Sequence, residues 1–405
     1  MASVGAWKGK PVPVLVLHVD MDAFFVAVEM RADPRLAGRA VAVGGGPGGR
    51  GVVTSASYPA RAFGVRSGMS MAQALRLCPH LLALPVDPPK YVSASLEVLA
   101  VLDGISPCVE AASIDEAYVE LPASGRWVER AWAEGDAVRR RVLARCGLSC
   151  SVGAGVNKLQ AKMATAKAKP GGVHVVPPGA FLTEFGASPV STIPGIGPRT
   201  TEILAGLGIR TVDDLARMEP GAGEGGLGRW GSMLRGQARG LDSRPVLGAG
   251  NEPLPRSAGH ETTFARDVGD PAELRATLWF LADRVARRLR IHGLSARGVA
   301  VRFKVGKNRY SRQERFPLPT AEARRLAAAA WRLLEGSRRN RALRLVGVAG
   351  FDLVRDRPAS PLFPGDVKTF RLQETGDRLR DRYGERAVLP AAVFSGRPGK
   401  RGTRT

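Results

Sequence analysis

The sequence contains few acidic residues, few cysteines and few aromatic residues. Its 405 residues include 37 Asp and Glu against 60 Lys and Arg, which gives a net charge of +23. Aromatic residues make up 6% of the chain. The cysteines fit neither a disulfide framework nor a set of zinc ligands, so we expect reduced thiols in a cytoplasmic protein. These four cysteines are Cys78, Cys108, Cys146 and Cys150.

Long apolar runs are also missing. No stretch of about 18 uninterrupted apolar residues occurs, so we expect no transmembrane helix. The first ten residues lack the apolar core of a signal peptide, so we do not expect a secreted protein. A hydrophobic fraction of 44% and a charged fraction of 24% exclude a mostly disordered chain. The length predicts two to four domains, at roughly 100–200 residues for each domain.

The surplus of positive charge indicates a polyanionic partner. Most of the surplus is arginine, which suits planar, bidentate contacts with phosphate. A genome rich in G and C explains the choice of arginine over lysine, but it does not explain a net charge of +23. About half of that charge lies between Arg256 and Asp352, where 21 Lys and Arg stand against 9 Asp and Glu. We therefore predict nucleic acid as the partner.

Two predicted strands carry carboxylates at their ends. The apolar run from Pro11 is typical of a strand buried on both faces and ends in Asp20 and Asp22. A second predicted strand, Ser113–Leu121, carries Asp115 and Glu116. Oxygen ligands without nearby His or Cys select Mg²⁺ or Mn²⁺, and two such ions about 4 Å apart promote in-line phosphoryl displacement. From these residues alone, helix caps or solvated turns remain an open alternative.

Five motifs occur in an order that resembles the Y-family DNA polymerases, and most closely the branch called DinB or DNA polymerase IV. The resemblance covers about residues 14–393. The motifs are HVDMDAFFVAVE at His18–Glu29, TSASYPARAFGVRSGM at Thr54–Met69, SIDEAY at Ser113–Tyr118, GVNKLQAKMATAKAKPGGV at Gly155–Val173 and IPGIGPRT at Ile193–Thr200.

The resemblance implies an α+β fold shaped as a right hand. Its parts are a ferredoxin-like palm, small fingers, a helical thumb with a helix-hairpin-helix, and an α+β little finger. The implied boundaries are palm 11–28 and 88–176, fingers 29–87, thumb 177–242, linker 243–255, little finger 256–354, C-terminal extension with a helix 355–394, and disordered basic tail 395–405. The residues of the little finger predict strand, helix, two strands, helix and strand.

The resemblance also implies a template-directed DNA polymerase of the translesion type, with low fidelity, without proofreading, and with a role in tolerance and repair of DNA damage. It implies two Mg²⁺ ions per active site, with Mn²⁺ as a substitute. Two alternatives remain: a non-catalytic DNA-bound adaptor, and another two-metal enzyme such as a nuclease or nucleotide cyclase. The three acids disfavour the adaptor, whereas Phe25, Tyr58, Arg61 and the glycine hairpin disfavour the other enzymes.

Carried over position by position, the resemblance implies roles for individual residues. The metal ligands and catalytic acids are Asp20, Asp115 and Glu116, with the main-chain carbonyl of Met21 as a further ligand. The nucleotide contacts are Phe24, Phe25, Ser55, Tyr58, Arg61 and Lys169, of which Phe25 is the steric gate against ribonucleotides. Asp22 is expected to make local hydrogen bonds rather than bind metal, and Lys162 to contact DNA or the protein itself. Ala166 departs from the aspartate of many relatives.

The remaining expectations concern partners. Gly195 and Gly197 let main-chain N–H groups approach a DNA phosphate, and Arg256, Arg302 and Lys304 are expected to contact DNA. The partners are primer-template DNA and dNTPs, with no membrane. Leu362 and Phe363 resemble part of a sliding-clamp peptide, but Ala359 replaces its glutamine. We expect a monomer, cytoplasmic and associated with the nucleoid.

Overall fold

A computed structural model describes most of the chain. The described residues are 13–46, 50–122, 125–219, 229–248, 250–251, 253–355, 364–384, 387–389 and 391. The chain forms two compact units, Met1–Glu252 and Pro253–Thr405. Their boundary falls within the predicted linker, 243–255. Palm, fingers and thumb are not separated from one another at this level, so their boundaries stay predictions.

The first unit contains eight strands and ten helices among the residues that the structure describes. The strands are β1 (Leu15–Met21), β2 (Val41–Gly44), β3 (Val53–Ala56), β4 (Leu82–Leu84), β5 (Val109–Ala111), β6 (Glu116–Leu121), β7 (Cys150–Gly155) and β8 (Val173–Val175). The helices are α1 (Phe24–Ala32), α2 (Tyr58–Ala62), α3 (Met71–Leu77), α4 (Pro88–Asp103), α5 (Trp127–Cys146), α6 (Lys158–Ala168), α7 (Phe181–Phe185), α8 (Pro198–Gly206), α9 (Val212–Arg217) and α10 (Arg229–Ala238).

The main sheet has the order β5-β6-β1-β7-β8, and β1 runs antiparallel to both of its neighbours. Strands β1, β5, β6 and β7 with helices α4 and α5 form the β-α-β-β-α-β arrangement of a ferredoxin-like fold, as predicted. The apolar run of β1 explains its central place, because Leu17 and Val19 are buried against the helices on one face. Helix α6 covers the opposite face, where Thr165 bonds His18.

A second, three-stranded sheet follows α1 and has the order β3-β2-β4. Its core is built mainly of small residues, including Ala42, Ala56 and Ala74, together with Met71. Small side chains let α2 and α3 lie close to the strands, so this segment is thin. It lies in the predicted fingers region, 29–87.

The segment after β8 is helical, and its core of Phe181, Ile193, Leu204 and Leu215 is continued by Leu159 and Met163 of α6. A single 3-10 turn, Val190–Thr192, precedes the glycine hairpin. Pro189 and Pro194 flank this turn, and proline restricts the residue before it, so only one turn fits between them.

The second unit follows the predicted order of strand, helix, two strands, helix and strand. Its elements are β9 (Ser257–Val268), α11 (Pro271–Ile291), β10 (Leu294–Val305), β11 (Asn308–Thr320), α12 (Ala323–Arg338), β12 (Leu343–Arg355) and α13 (Pro364–Tyr383). The antiparallel sheet has the order β11-β10-β12-β9. Residues of α11 and α12 fill the core on one face.

The observed mixture of helices with sheets of mostly antiparallel strand pairs confirms the predicted α+β class. One boundary differs from the sequence prediction: β6 begins at Glu116 rather than Ser113. The Ser113 hydroxyl donates to Asp115 Oδ1 at 2.6 Å and accepts from the Asp115 amide at 3.3 Å, and these bonds hold the segment as a turn. Within the described part of the chain, no helix has both the length and the hydropathy to cross a membrane.

Candidate active site

The three predicted acids meet at the end of β1. Asp20 is paired directly with Glu116 across the sheet, which places their side chains on the same face. Asp115 occupies the turn before β6, and its main-chain oxygen accepts a hydrogen bond from Met21 at 3.0 Å. The sheet register therefore brings together residues that are almost a hundred positions apart in the sequence.

Two lysines neutralise this acidic cluster. Lys169 Nζ lies 2.6 Å from Asp20 Oδ1, and Lys162 Nζ lies 2.7 Å from each carboxylate oxygen of Glu116. Lys169 follows the last residue of α6, and Lys162 lies in its middle, so one helix supplies both ammonium groups. The contact of Lys162 is with the protein itself, and this carboxylate partner was not predicted.

The two acids of the pair have opposite shifts in pKa. Burial raises the pKa of Asp20 to about 6; Lys169 opposes this shift, and Glu116 and Asp115 add to it. The His18 imidazole and the Lys162 ammonium lower the pKa of Glu116 to about 2. His18 Nε2 lies 3.9 Å from Glu116 Oε2, which is too long for a hydrogen bond, so Lys162 makes the direct contacts.

The residues present fit a divalent cation. They offer hard oxygen donors, and two lysine ammonium groups already supply the positive charge that a cation would bring to Asp20 and Glu116. No three His, Cys, Asp or Glu side chains converge as a ready-made metal site in the described residues, because each of these carboxylates is turned toward its own partner. Met21 is 3% exposed, so only its main chain is available as a ligand.

Asp22 does not join the acidic cluster. Its carboxylate accepts hydrogen bonds from Ser149, Ser151 and the Gly171 amide at 2.7–3.0 Å, and one from the Tyr58 hydroxyl at 3.3 Å. The local hydrogen-bonding role expected from the sequence agrees with these contacts.

The start of α1 places two aromatic rings in different surroundings. Phe24 is 3% exposed and packs in the core, so only its main-chain amide can face a ligand. Phe25 is half-buried and stacks on Tyr91 of α4, with ring centroids 4.3 Å apart and planes 14° apart. The Tyr91 hydroxyl donates to Glu29 at 2.7 Å. The stacked tyrosine was missed in the sequence, where nothing links it to Phe25.

The predicted phosphate contacts of the fingers lie on β3 and α2. Ser55 is buried, whereas Tyr58 is partly exposed and carries the Arg61 guanidinium 4.8 Å from its ring centroid. Arg61 Nε also donates to the Ala56 carbonyl at 3.0 Å. Burial and the negative charge of Asp22 raise the pKa of Tyr58 to about 12, so its hydroxyl remains protonated.

The candidate DNA contacts lie on both units. In the first, Gly195 has φ of +96°, which only glycine adopts readily, and a Cβ at Gly195 or Gly197 would meet no atom within 4 Å. In the second, Arg256 and Arg302 are exposed and Lys304 is half-buried. Arg302 lines a cavity of about 410 Å³ on the sheet. Leu362 and Phe363 fall outside the described residues.

Comparison with known proteins places these features in a family. The sequence profile of the impB/mucB/samB family matches residues 19–166, and that of its C-terminal domain matches residues 255–361. The chain is 42% identical over 338 residues to a DNA polymerase IV of Methanoculleus marisnigri, covering 82% of this chain and 93% of that protein. It is 34% identical to one of Desulfatibacillum aliphaticivorans, covering 94% and 97%.

A solved structure has a similar fold. It is a chimeric Y-family DNA polymerase built from Dbh and Dpo4, with a TM-score of 0.74 and 24% sequence identity. The match covers 84% of this chain and all of that one.

Proposed function

Because this chain belongs to the Y-family DNA polymerases, in the DinB or DNA polymerase IV branch, we propose that it extends primers at the cluster of Asp20, Asp115 and Glu116. It is a DNA-directed DNA polymerase of the translesion class, with the role in DNA repair that this family has. The observation that carries the proposed site is the cross-strand pair of Asp20 and Glu116, with Asp115 bonded to the same strand.

Asp20, Asp115, Glu116 and the Met21 carbonyl are the residues that would hold two Mg²⁺ ions, or Mn²⁺ in their place. When bound, the ions neutralise charge on the phosphates and align an in-line displacement at the α-phosphate of a dNTP. The protein's part is to keep these oxygens on one edge of a rigid sheet, because positioning and electrostatics carry most of the rate in phosphoryl transfer.

The triphosphate is bound by groups of four elements. Tyr58 and Arg61 approach from α2, Ser55 from β3, and Lys169 from the end of α6. The N-terminus of α1 has no side-chain cap, so the amides of Phe24 and Phe25 are available to a phosphate oxygen. Each of these contacts is a charge-assisted or strong hydrogen bond to a polyanion.

Lys169 exchanges partners in this scheme. Its ammonium bonds Asp20 at 2.6 Å, and a bound triphosphate would draw it to the phosphates. The movement frees an Asp20 oxygen when the triphosphate arrives, so binding of the substrate and completion of the carboxylate site are coupled.

Phe25 forms the floor beneath the sugar and leaves no room for a 2′-hydroxyl. The fingers are built of small residues such as Ala56 and Ser57, which favours an open site over the new base pair. We infer from this openness a low fidelity and tolerance of damaged templates. We also expect no proofreading.

DNA is held through its backbone, without reading of sequence. The hairpin amides at Gly195 and Gly197 bind phosphate in the first unit, and Arg256, Arg302 and Lys304 do so in the second. A contact with a sliding clamp through Leu362 and Phe363, and a monomeric state in the cytoplasm, belong to the same proposal.

Primer extension on an undamaged template with Mg²⁺ and four dNTPs tests the proposal. We expect Asp115→Ala to extend primers at least about a hundredfold more slowly than wild type, since removal of one electrostatic group at a reacting centre costs that much. Asp103→Ala, an exposed acid at the end of α4, is the matched control and should extend like wild type. DNA binding without extension by wild type would favour the adaptor, and DNA cleavage would favour a nuclease.

A further inference from the structure

The Asp22 carboxylate joins three segments that are distant in sequence. It is 5% exposed, and each of its oxygens accepts two hydrogen bonds. Oδ1 accepts from Ser151 Oγ at 2.8 Å and from the Tyr58 hydroxyl at 3.3 Å. Oδ2 accepts from Ser149 Oγ at 2.7 Å and from the Gly171 amide at 3.0 Å.

Four donors explain how the Asp22 carboxylate is accommodated in a buried place. Burial of a charge is costly unless hydrogen bonds replace the lost water, and bonds to a charged acceptor are about twice as strong as neutral ones. The same donors occupy both oxygens of Asp22. This residue is therefore bound to the protein and not open to a cation, although it lies two positions after Asp20.

One of the four donors belongs to the candidate triphosphate site, and a second lies beside another of its residues. Tyr58 is itself a proposed phosphate contact and comes from the fingers segment. Gly171 lies two residues after Lys169 and fixes the turn from which that lysine extends. Asp22 thus links a contact on α2 with a contact at the end of α6, across the end of the central strand.

We propose that Asp22 is a positioning residue for the incoming triphosphate, which holds Tyr58 and the turn after Lys169 at the mutual distance that one triphosphate requires. This inference rests on the proposed function. It assigns Asp22 no contact with substrate or metal, and its effect passes through its two partners.

The contacts that would remain after loss of the Asp22 carboxylate indicate what this side chain contributes. The Tyr58 hydroxyl would lose its bond to Asp22, and the contact of its ring with the Arg61 guanidinium would remain. The Gly171 amide would keep a bond to Ser151 Oγ at 2.9 Å, so its turn would loosen but not detach. We therefore expect weaker triphosphate binding with an intact reaction centre.

The test compares Asp22→Ala and Asp22→Asn with a matched control, Ser149→Ala. Ser149 Oγ donates to Asp22, so its loss removes one of four bonds and leaves those of Tyr58 and Gly171 in place. The measured quantities are kcat and KM for a dNTP, the KM for primer-template, and the inhibition constant of inorganic tripolyphosphate. Thermal unfolding is recorded for every variant.

In Asp22→Ala we expect the KM for dNTP and the inhibition constant of tripolyphosphate to rise together, by about tenfold, as for loss of one or two charge-assisted hydrogen bonds. The kcat and the KM for DNA should stay within about twofold of wild type. Asp22→Asn keeps its volume and one acceptor for the Gly171 amide, so it should recover part of the loss. Ser149→Ala should change the KM by less than about twofold.

A combination with Tyr58→Phe tests the route of the effect. Because Asp22 acts in part through Tyr58, the double variant Asp22→Asn with Tyr58→Phe should lose less dNTP affinity than the two single losses added together. Additive losses, an unchanged KM in Asp22→Asn, or a fall in kcat alone would each overturn the inference. Should Asp22→Ala not fold, Asp22→Asn carries the test. Failure of the proposed function would differ, because wild type itself would then not extend a primer.

Discussion

Phe25 has its place because of Tyr91, which contributes a buried ring behind it. The two rings are nearly parallel, and the Tyr91 hydroxyl is fixed by Glu29, which also bonds Lys90 at 2.7 Å. The Tyr91 ring is packed against its neighbours and anchored by its hydroxyl, so it has little freedom to move away from Phe25. Phe25 is therefore held as a firm surface, which is what discrimination against one added hydroxyl requires.

Replacement of Phe25 by alanine should increase the use of ribonucleotides relative to deoxynucleotides. A steric clash of one hydroxyl group is worth about 1–3 kcal/mol, so we expect the ratio of kcat/KM values to shift by about tenfold or more. The measurement is single-nucleotide incorporation of a matched rNTP and dNTP. Phe63→Ala, a partly exposed ring of the fingers segment, should leave the ratio unchanged. An unchanged ratio in Phe25→Ala would show that this ring is not the gate.

Single residues of the site differed in how well the sequence revealed them. Asp20, Asp115 and Glu116 stand at the ends of recognisable strands, so their convergence followed from one assumption about sheet neighbours. Tyr91 and His18 gave no such signal. Each owes its place to contacts with another element: Tyr91 lies on α4 against a ring of α1, and His18 bonds Thr165 of α6 at 2.9 Å. Contacts of this kind depend on how helices pack against other elements. The residue pattern of one segment carries no information about that packing.

At the scale of elements, α6 and β7 approach one another unusually closely. A Cβ on Gly153 would lie 2.2 Å from the Ala161 oxygen and 2.3 Å from the Thr165 nitrogen, both in the helix main chain. Distances this short cannot be relieved by a flexible side chain. The glycine therefore sets how near α6, and with it Lys162 and Lys169, lies to the acids of the sheet.

We expect Gly153→Ala to lower the free energy of unfolding by about 1–3 kcal/mol, the usual cost of forcing extra volume into a packed interior. Displacement of α6 should also reduce primer extension. Gly206→Ala is the matched control, since a Cβ there meets open space at the end of α8, and it should be neutral or stabilising by up to about 1 kcal/mol. Thermal unfolding measures both, and equal stability of the two variants would contradict the close approach.

The C-terminal helix α13 docks on α11 through a network of buried ion pairs. Arg290 forms two hydrogen bonds with Asp377 at 2.7 and 2.9 Å, and Arg380 lies 2.7 Å from Asp283. Arg380 is 7% exposed. Ion pairs of this kind set the register of two helices, because a shift by one residue would leave charges buried and unpaired.

Arg380→Ala should release α13, because it leaves Asp283 buried without its partner. Loss of one member of a buried pair costs about 3–5 kcal/mol, whereas an exposed pair contributes about 0–1 kcal/mol. Arg378→Ala, in the same helix and paired with Glu374 on the surface, is the control. Amide hydrogen exchange of residues 364–383 measures the difference. Equal protection in the two variants would show that the network does not hold the helix.

The order of elements was more predictable than their ends. The alternation of apolar residues and basic residues gave the six elements from β9 to β12, since each buries one face against the same core. The predicted start of the strand at Ser113 was wrong, because the Ser113 hydroxyl accepts a hydrogen bond from the Asp115 amide and the segment forms a turn. Side chains that bond their own main chain compete with strand pairing, and this competition is local, weak and hard to judge from a sequence.

At the scale of the whole molecule, charge is distributed unevenly over the second unit. Its sheet packs α11 and α12 on one face, and Arg302 and Arg309 line a cavity of about 410 Å³ at the strands, together with His260. Side chains alternate between faces along β10, so Val301 and Phe303 enter the core while Arg302 does not. The net positive charge of the sequence is therefore presented partly as an ordered surface.

Binding of primer-template DNA should weaken steeply with salt, with a slope of log K against log salt that counts the phosphates contacted. The double variant Arg302→Ala with Lys304→Ala should reduce this slope by about 2, one unit for each lost contact, and by the same amount on unrelated sequences. The matched control is Arg325→Ala on α12, where an exposed arginine is paired with Glu322 at 2.9 Å. Fluorescence anisotropy at several salt concentrations gives the slope for each protein. If the double variant keeps the wild-type slope, these two residues do not contact the backbone, and the surplus of charge acts on DNA elsewhere on the molecule.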